Sequence, residues 1–241
     1  MRYHQIVENT ENINLNDLKI KYPDYSEAFD RYEKGFRIYK GLRNFTNDVD
    51  IEILKPLKRK SQNTTNHMTT LMSNLPEWSA YPKRNYCTVC SSNYDYAKNY
   101  GRLFCIFPEN GSKIGVCPRD DIFVSFKISV PGLNRFLDKI SKNDNFESII
   151  NNLKNVFASD KNSDKKIIEY EFPIDERRLR GGMDINSFEN FIEFISPDFN
   201  QFKLVNAANY SVTSADDREV WTDGNCLAVR RKLSLQNNAE I

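Results

Sequence analysis

Stretches with β character in this chain are short, and they alternate irregularly with helical ones. Gly35 to Gly41, Tyr86 to Cys90, Arg102 to Phe107, Ile114 to Val116, Ile122 to Phe126, Ile167 to Phe172, Phe202 to Val205 and Glu219 to Val229 each read as a strand. Between them lie helical patterns. Residues 131–158 place Leu133, Phe136, Leu137 and Ile140, then Phe146, Ile149, Ile150, Leu153 and Phe157, at spacings of three and four. Phe188, Phe191, Ile192 and Ile195 repeat that spacing. No regular strand–helix–strand unit recurs, so a doubly wound parallel sheet is excluded and an α+β architecture is expected.

Punctuation is explicit in places. Residues 1–34 read as one or two short helices divided by Pro23. Ser92 or Asn93 is placed to cap a helix through Tyr94, Tyr96, Ala97 and Tyr100, which Gly101 ends. Pro108-Glu109-Asn110-Gly111 is a turn sequence. Residues 44–85 read as polar and irregular, with one helical turn from Met68 to Leu75. Lys161 to Lys166 is a charged loop, and Arg177 to Gly182 a basic one.

With 241 residues, 16 Phe and 12 Tyr, the chain has the apolar volume for a core. Lys and Arg total 34 against 33 Asp and Glu, so net charge supplies no argument for non-specific nucleic-acid binding. No apolar run approaches the ~18 residues of a membrane span, so no membrane partner is expected. Met1 to Gln5 leads into polar residues rather than the apolar core of a secretion signal. Five cysteines, an odd number, point to a reducing compartment, hence the cytoplasm. The abundance of Asn, Lys and Ile suits an AT-rich genome.

Cys87-Thr88-Val89-Cys90 has the gap of half a zinc site, which Cys105 and Cys117 would complete as a structural module. A second close pair is missing, and strand alternation sends Cys87 and Cys90 to opposite faces, so no metal is expected. His4 and His67 are the only histidines, which leaves little for a Cys–His nucleophile. Arg180-Gly181-Gly182-Met183 lacks the lysine and the strand-to-helix setting of a phosphate loop.

Three separated pieces occur in order. A basic residue ends an early strand in Ile38-Tyr39-Lys40-Gly41-Leu42-Arg43. A hydroxyl cluster ends a middle strand in Val89-Cys90-Ser91-Ser92, with Ala97 to Gly101 behind it. A carboxylate pair starts a late strand in Asp216-Asp217-Arg218-Glu219-Val220-Trp221. This order resembles the arginine–serine–glutamate class of mono-ADP-ribosyltransferases. Their pattern is Tyr-Arg-Gly, then Ser-Thr-Ser, then Glu/Gln-x-Glu with two apolar residues. Phage-encoded members that modify host targets are the most similar.

The resemblance implies a fold of two small packed β-sheets with flanking helices. It implies an N-terminal helical segment over 1–34, a catalytic domain over 35–230 and a tail over 231–241. NAD is the implied substrate, cleaved at its nicotinamide–ribose bond. ADP-ribose then passes to a macromolecular acceptor, a host protein or an RNA, or to water. Glu219 would stabilise the positive charge that develops on the ribose. Period-two alternation puts Asp217 on the same side, where it would orient or deprotonate the acceptor. Ser91 or Ser92 would hold Glu219. Lys40 stands where the family has arginine; it, or Arg43, would bind the pyrophosphate beside Gly41. Cys90 and Tyr96 would line the nicotinamide pocket. The basic loops at 59–66 and 81–84 would meet NAD phosphates, an acidic protein or RNA. Asn209 to Asp216 occupies the place of the acceptor-recognition loop. From another class, the same fold would serve as a non-catalytic binder of a nucleotide or host partner, with lysine at position 40 marking a degraded site.

Overall fold

The structure, a computed structural model, describes residues 14–43, 50–59, 65–141, 145–158, 185 and 187–230. The expected strand at Ile167 to Phe172, the loops at 161–166 and 177–182, and the tail from 231 lie outside the described residues. The chain divides into two compact units: residues 1–57, 87–116 and 204–241, and residues 58–86 and 117–203. Each unit is assembled from separated stretches of the chain.

The α+β architecture is present, with a mostly antiparallel sheet and flanking helices. Among the described residues the strands are β1 (Tyr39–Leu42), β2 (Ile51–Leu54), β3 (Leu57–Lys58), β4 (Tyr86–Ser91), β5 (Arg102–Pro108), β6 (Lys113–Val116), β7 (Lys203–Asn206), β8 (Glu219–Thr222) and β9 (Cys226–Arg230). Their order is β2-β9-β5-β1-β4-β8-β6-β7, with β3 paired to β4 beside this path. β1 runs against β5 for four residues but meets β4 through one register pair, Tyr39 with Ser91. The described strands therefore form one sheet, in which β1 and β4 join through that single pair, not the two separate sheets expected.

Each strand has a local reason. In β5, Phe104 to Phe107 are all buried, as befits a strand flanked on both edges and covered on both faces. The helices α1 (Leu15–Lys21) and α2 (Ser26–Glu33) flank a 3₁₀ turn at Pro23–Tyr25. Asn14 caps α1 by accepting from the Asp17 amide at 2.9 Å. Phe29 of α2 lies 4.7 Å from the Phe107 ring, which fixes α2 against β5. The expected turn at Pro108 to Gly111 then fastens α2 from below. Asn110 accepts from the Glu27 amide and donates to the Pro23 carbonyl and the Ser26 hydroxyl.

Between β6 and β8 the packing rests on an absent side chain. Gly115 faces Trp221 in register, and a Cβ there would stand 2.2 Å from the indole. The fully buried ring thus lies across the neighbouring strand's backbone.

The second unit is helical around Trp78. Its described helices are α3 (His67–Asn74), α5 (Ile122–Ser125), α6 (Val130–Ile140), α7 (Phe146–Ala158) and α8 (Phe188–Phe194). The Trp78 indole donates to the Ile195 carbonyl at 3.0 Å, and its ring meets Tyr81 and Phe202 edge-on. Ile149 and Leu153 of α7 are buried, as their spacing requires. Among the described residues no helix is long and apolar enough to cross a membrane.

Two readings of the sequence need correction. Ile122 to Phe126 is a helical turn rather than a strand. The Asp121 carboxylate accepts from the Phe123 amide at 2.6 Å, and the Ser125 hydroxyl returns to the Asp121 carbonyl at 2.7 Å. These local bonds outweigh the β propensity of an apolar run. The stretch 44–85 is less irregular than its polarity implies, since it contains β2, which pairs with β9 over four residues. The stretch from Glu219 to Val229 is two strands, broken at Asp223-Gly224-Asn225.

Two expected outcomes follow from this packing. Gly115→Ala forces the buried indole to move and should cost about 1–3 kcal/mol, the usual range for overpacking, read as a lower midpoint of thermal unfolding. Burial raises the phenols of Tyr25 and Tyr210, and it pushes Tyr81 up to about 12, with Asp198 adding to the effect. Each stays protonated in the fold at a pH where the unfolded chain ionises near the ordinary value of 10.0. Their contribution is whole below that value and is lost as pH rises toward 12 and beyond. Titration of tyrosinate absorbance beside circular dichroism should show a class of tyrosines that ionises only as the fold is lost. Ionisation of every tyrosine with the dichroism intact would contradict this.

Candidate functional site

The adjacency of β1, β4 and β8 decides which of the three sequence motifs can act together. Register puts Ser91 of β4 opposite Glu219 of β8 on one side and opposite Tyr39 of β1 on the other. Directly opposed residues in an antiparallel pair share a face, with Cβ atoms about 4.5–5.5 Å apart. Ser91 is therefore beside Glu219, whereas Lys40, one residue further along β1, alternates to the other face of the sheet, the side of Cys90. All three belong to the first unit. Glu219, Ser91 and Ser92 are buried.

Ser92 fastens the start of β8. Its amide donates to the Arg218 carbonyl at 2.9 Å, and its hydroxyl accepts from the Arg218 amide at 2.9 Å. The residue preceding Glu219 is thus held at both backbone groups by one serine. Ser91 acts differently, since its hydroxyl accepts from the Asn93 amide at 3.0 Å. Asn93 in turn caps α4 (Tyr94–Lys98) by accepting from the Tyr96 amide at 2.9 Å. These bonds use hydroxyl lone pairs. Each hydroxyl keeps a proton to donate, and that of Ser91 is on the face of the Glu219 carboxylate.

The same alternation explains Lys40. Because Ser92 pairs with Arg218, residues 88 and 90 turn their backbone groups to β8 and residues 89 and 91 turn theirs to β1. β1 pairs only at Ser91, so the Val89 carbonyl has no strand partner there. The Lys40 ammonium donates to it. An ammonium has three donors, and this carbonyl takes one. Lys40 also lies near enough to Cys226 to oppose the rise of its thiol, which burial drives well above the ordinary value with Cys90 adding.

The remaining residues named from the sequence fall into separate places. Asp217 is outside β8, exposed, with φ of +47°, so strand alternation does not set it beside Glu219 as expected. The chain reaches β8 through a turn, in which the Thr213 amide and hydroxyl donate to the Asp216 carboxylate. Left-handed backbone of this kind is tolerated better by Asp than by most residues. Arg43 is exposed at the end of β1, four residues from Tyr39, or about 13 Å at the usual strand rise. Cys90 is paired with Val220, one residue out of phase with Ser91, and belongs to the apolar core rather than to the serine's face.

Gly41 has a steric task. A Cβ at this position would stand 2.2 Å from the Ala97 carbonyl oxygen, and the turn after α4 lies directly on β1. Gly101 completes the approach with φ of +136°, its missing Cβ facing the Leu42 carbonyl at 2.6 Å. Tyr96 is half-buried on α4, and Tyr94 sets its ring edge against Tyr39. Tyr210 is core: it is buried and its hydroxyl reaches the Ala28 carbonyl at 3.4 Å, so it is not part of an exposed recognition loop. In the second unit, Arg84 is buried and Lys83 exposed, while residues 60–64 of the other basic loop lie outside the described residues.

All five cysteines are buried and none is in a disulfide, and among the described residues no three His, Cys, Asp or Glu side chains are grouped to hold a metal ion. The sequence reading missed the Ser92–Arg218 clamp and the Lys40–Val89 contact. Both depend on main-chain atoms from distant segments and leave no sequence signal.

Ser92→Ala removes one clamp bond and should cost about 1 kcal/mol, typical of one net hydrogen bond, read as a lower thermal midpoint. Ser91→Ala is expected to shift that midpoint less, because the Asn93 amide is close to solvent-accessible backbone beyond the strand. A larger loss for Ser91→Ala would reverse the roles assigned to the two serines.

No family model matches this chain, and neither a curated protein nor a solved structure matches it.

Proposed function

We propose that the first unit cleaves NAD between nicotinamide and ribose and passes ADP-ribose to a macromolecular acceptor or to water. One observation carries the reading. Three motifs far apart in sequence lie on consecutive strands β1, β4 and β8, with Ser91 and Glu219 directly opposed.

The chemistry follows from charge. As the glycosidic bond breaks, positive charge builds on the ribose carbon and its ring oxygen. The buried Glu219 carboxylate, bonded to the ribose 2′-hydroxyl, stabilises that cation more than it stabilises ground-state NAD. Burial strengthens this effect because water screens it less. The Ser91 hydroxyl, opposite Glu219 in register, is placed to orient the carboxylate, and the Ser92 clamp fixes the strand on which it stands. Lys40, as a point charge, or Arg43, with its two-pronged guanidinium, meets the pyrophosphate. Asp217, exposed in the turn just before Glu219, is on the solvent side from which an acceptor arrives. It serves there to orient or deprotonate that acceptor.

A second reading has one observation in its favour. Lys40 already caps the Val89 carbonyl, so its charge has a structural use without NAD. On that reading the unit binds a nucleotide or partner and catalyses nothing.

Glu219→Gln separates the two. The protein is incubated with NAD and a host lysate while nicotinamide release and labelled ADP-ribose transfer are followed. Release should fall by about 10²–10³-fold in the variant, the range for losing one transition-state electrostatic contact, with the thermal midpoint preserved. NAD binding without release in either protein would support the binder. Neither binding nor release would end the NAD reading.

A further inference from the structure

The turn that Gly41 and Gly101 bring onto β1 carries an exposed aromatic and cationic face. Tyr96 and Tyr100 are four residues apart, with ring centroids at 5.5 Å and the Tyr100 hydroxyl donating to that of Tyr96 at 3.1 Å. Tyr100 is 47% exposed. A ring serving the core would be covered, as those of Tyr39 and Tyr210 are.

Three cationic residues stand on the adjoining backbone. Lys98 and Arg43 are exposed, and Arg102 is half-exposed. The backbone places them together. Arg102 is in register with Leu42, and Arg43 follows Leu42 directly. The vacant Cβ position of Gly101 is 3.0 Å from the Arg43 amide, while that of Gly41 is 2.8 Å from the Tyr100 carbonyl carbon. Asp95 is the acidic residue of α4, in its first turn, away from this end.

We propose that this face binds single-stranded nucleic acid, with a base stacked on Tyr100 and phosphates met by Lys98, Arg43 and Arg102. An acidic protein would use the cations but leave the rings without a task. A strand of bases uses both, because every base has a stacking face and every linkage a charge. The chain's overall charge of +1 does not oppose this, since the attraction is local. Binding here does not depend on NAD cleavage, and it is measured without NAD.

The test uses fluorescence anisotropy with labelled oligo(U) and oligo(dT) of about 15 nucleotides, within the site sizes usual for such surfaces. Saturable binding should weaken between about 50 and 200 mM salt, with a log–log slope near −2 for three phosphate contacts. Tyr100→Ala should weaken binding by about 30-fold, the middle of the range for one stacked base. Tyr100→Phe, which keeps the ring, should bind as the parent does. Lys98→Ala should reduce the slope by about 0.7. A preference for oligo(U) over oligo(dT) would identify RNA as the ligand. Absence of saturable binding, or equal affinity in the parent and Tyr100→Ala, would overturn the proposal. So would an oligo-glutamate of equal charge competing as well as the oligonucleotide, which would assign the face to an acidic protein.

Discussion

The row Tyr39–Ser91–Glu219 is where the sheet is narrowest and where most else converges. Two well-paired halves meet there through one register pair, so ladder hydrogen bonds alone leave the junction thin. Two contacts outside the ladder reinforce it: Lys40 donates to the Val89 carbonyl, and the turn after α4 lies on β1 over Gly41. Next to the junction, Ser92 ties β4 to Arg218 ahead of β8. A strand end secured by side chains can place a carboxylate more tightly than a fraying terminus would. The geometry of Glu219 is thus inherited from neighbours on β1 and β4.

The glycine pair has consequences beyond packing. Gly41 and Gly101 bring two backbones within reach that any Cβ would separate, and this close approach turns the end of α4 outward. The serine row and the tyrosine face are then built from the same short stretch, residues 91–102. One end of α4 is tied to the carboxylate through Asn93 and Ser91, and the other presents Tyr100. A single local packing solution therefore sets both the candidate catalytic row and the proposed binding face.

What the sequence reveals depends on how local each cause is. The caps and turns at Asn93, Gly101 and Pro108 to Gly111 were legible because their bonds span a few residues. The helices of 131–158 were legible because their spacing repeats. Ile122 to Phe126 was misread because Asp121, one residue upstream, decides it. Ile51-Glu52-Ile53-Leu54 shows alternation, but its partner β9 lies some 180 residues away, beyond any local signal. The Asp217–Glu219 pair was misjudged for a related reason. Alternation holds only inside a strand, and β8 begins at Glu219 rather than before it.

Position 219 itself is the last point of tension. Val220, Trp221 and Thr222 are all buried, and a strand in this setting would be simplest with an apolar first residue. A carboxylate there must be desolvated, a cost of several kcal/mol for an ion removed from water without full compensation. Sequences that specify a fold are consistent at every level, and departures concentrate where function demands them. A serine opposite Glu219 in register is one donor that could offset that cost. On the reading proposed above, the burial that makes the carboxylate costly in the resting protein is also what would make it effective against a developing cation.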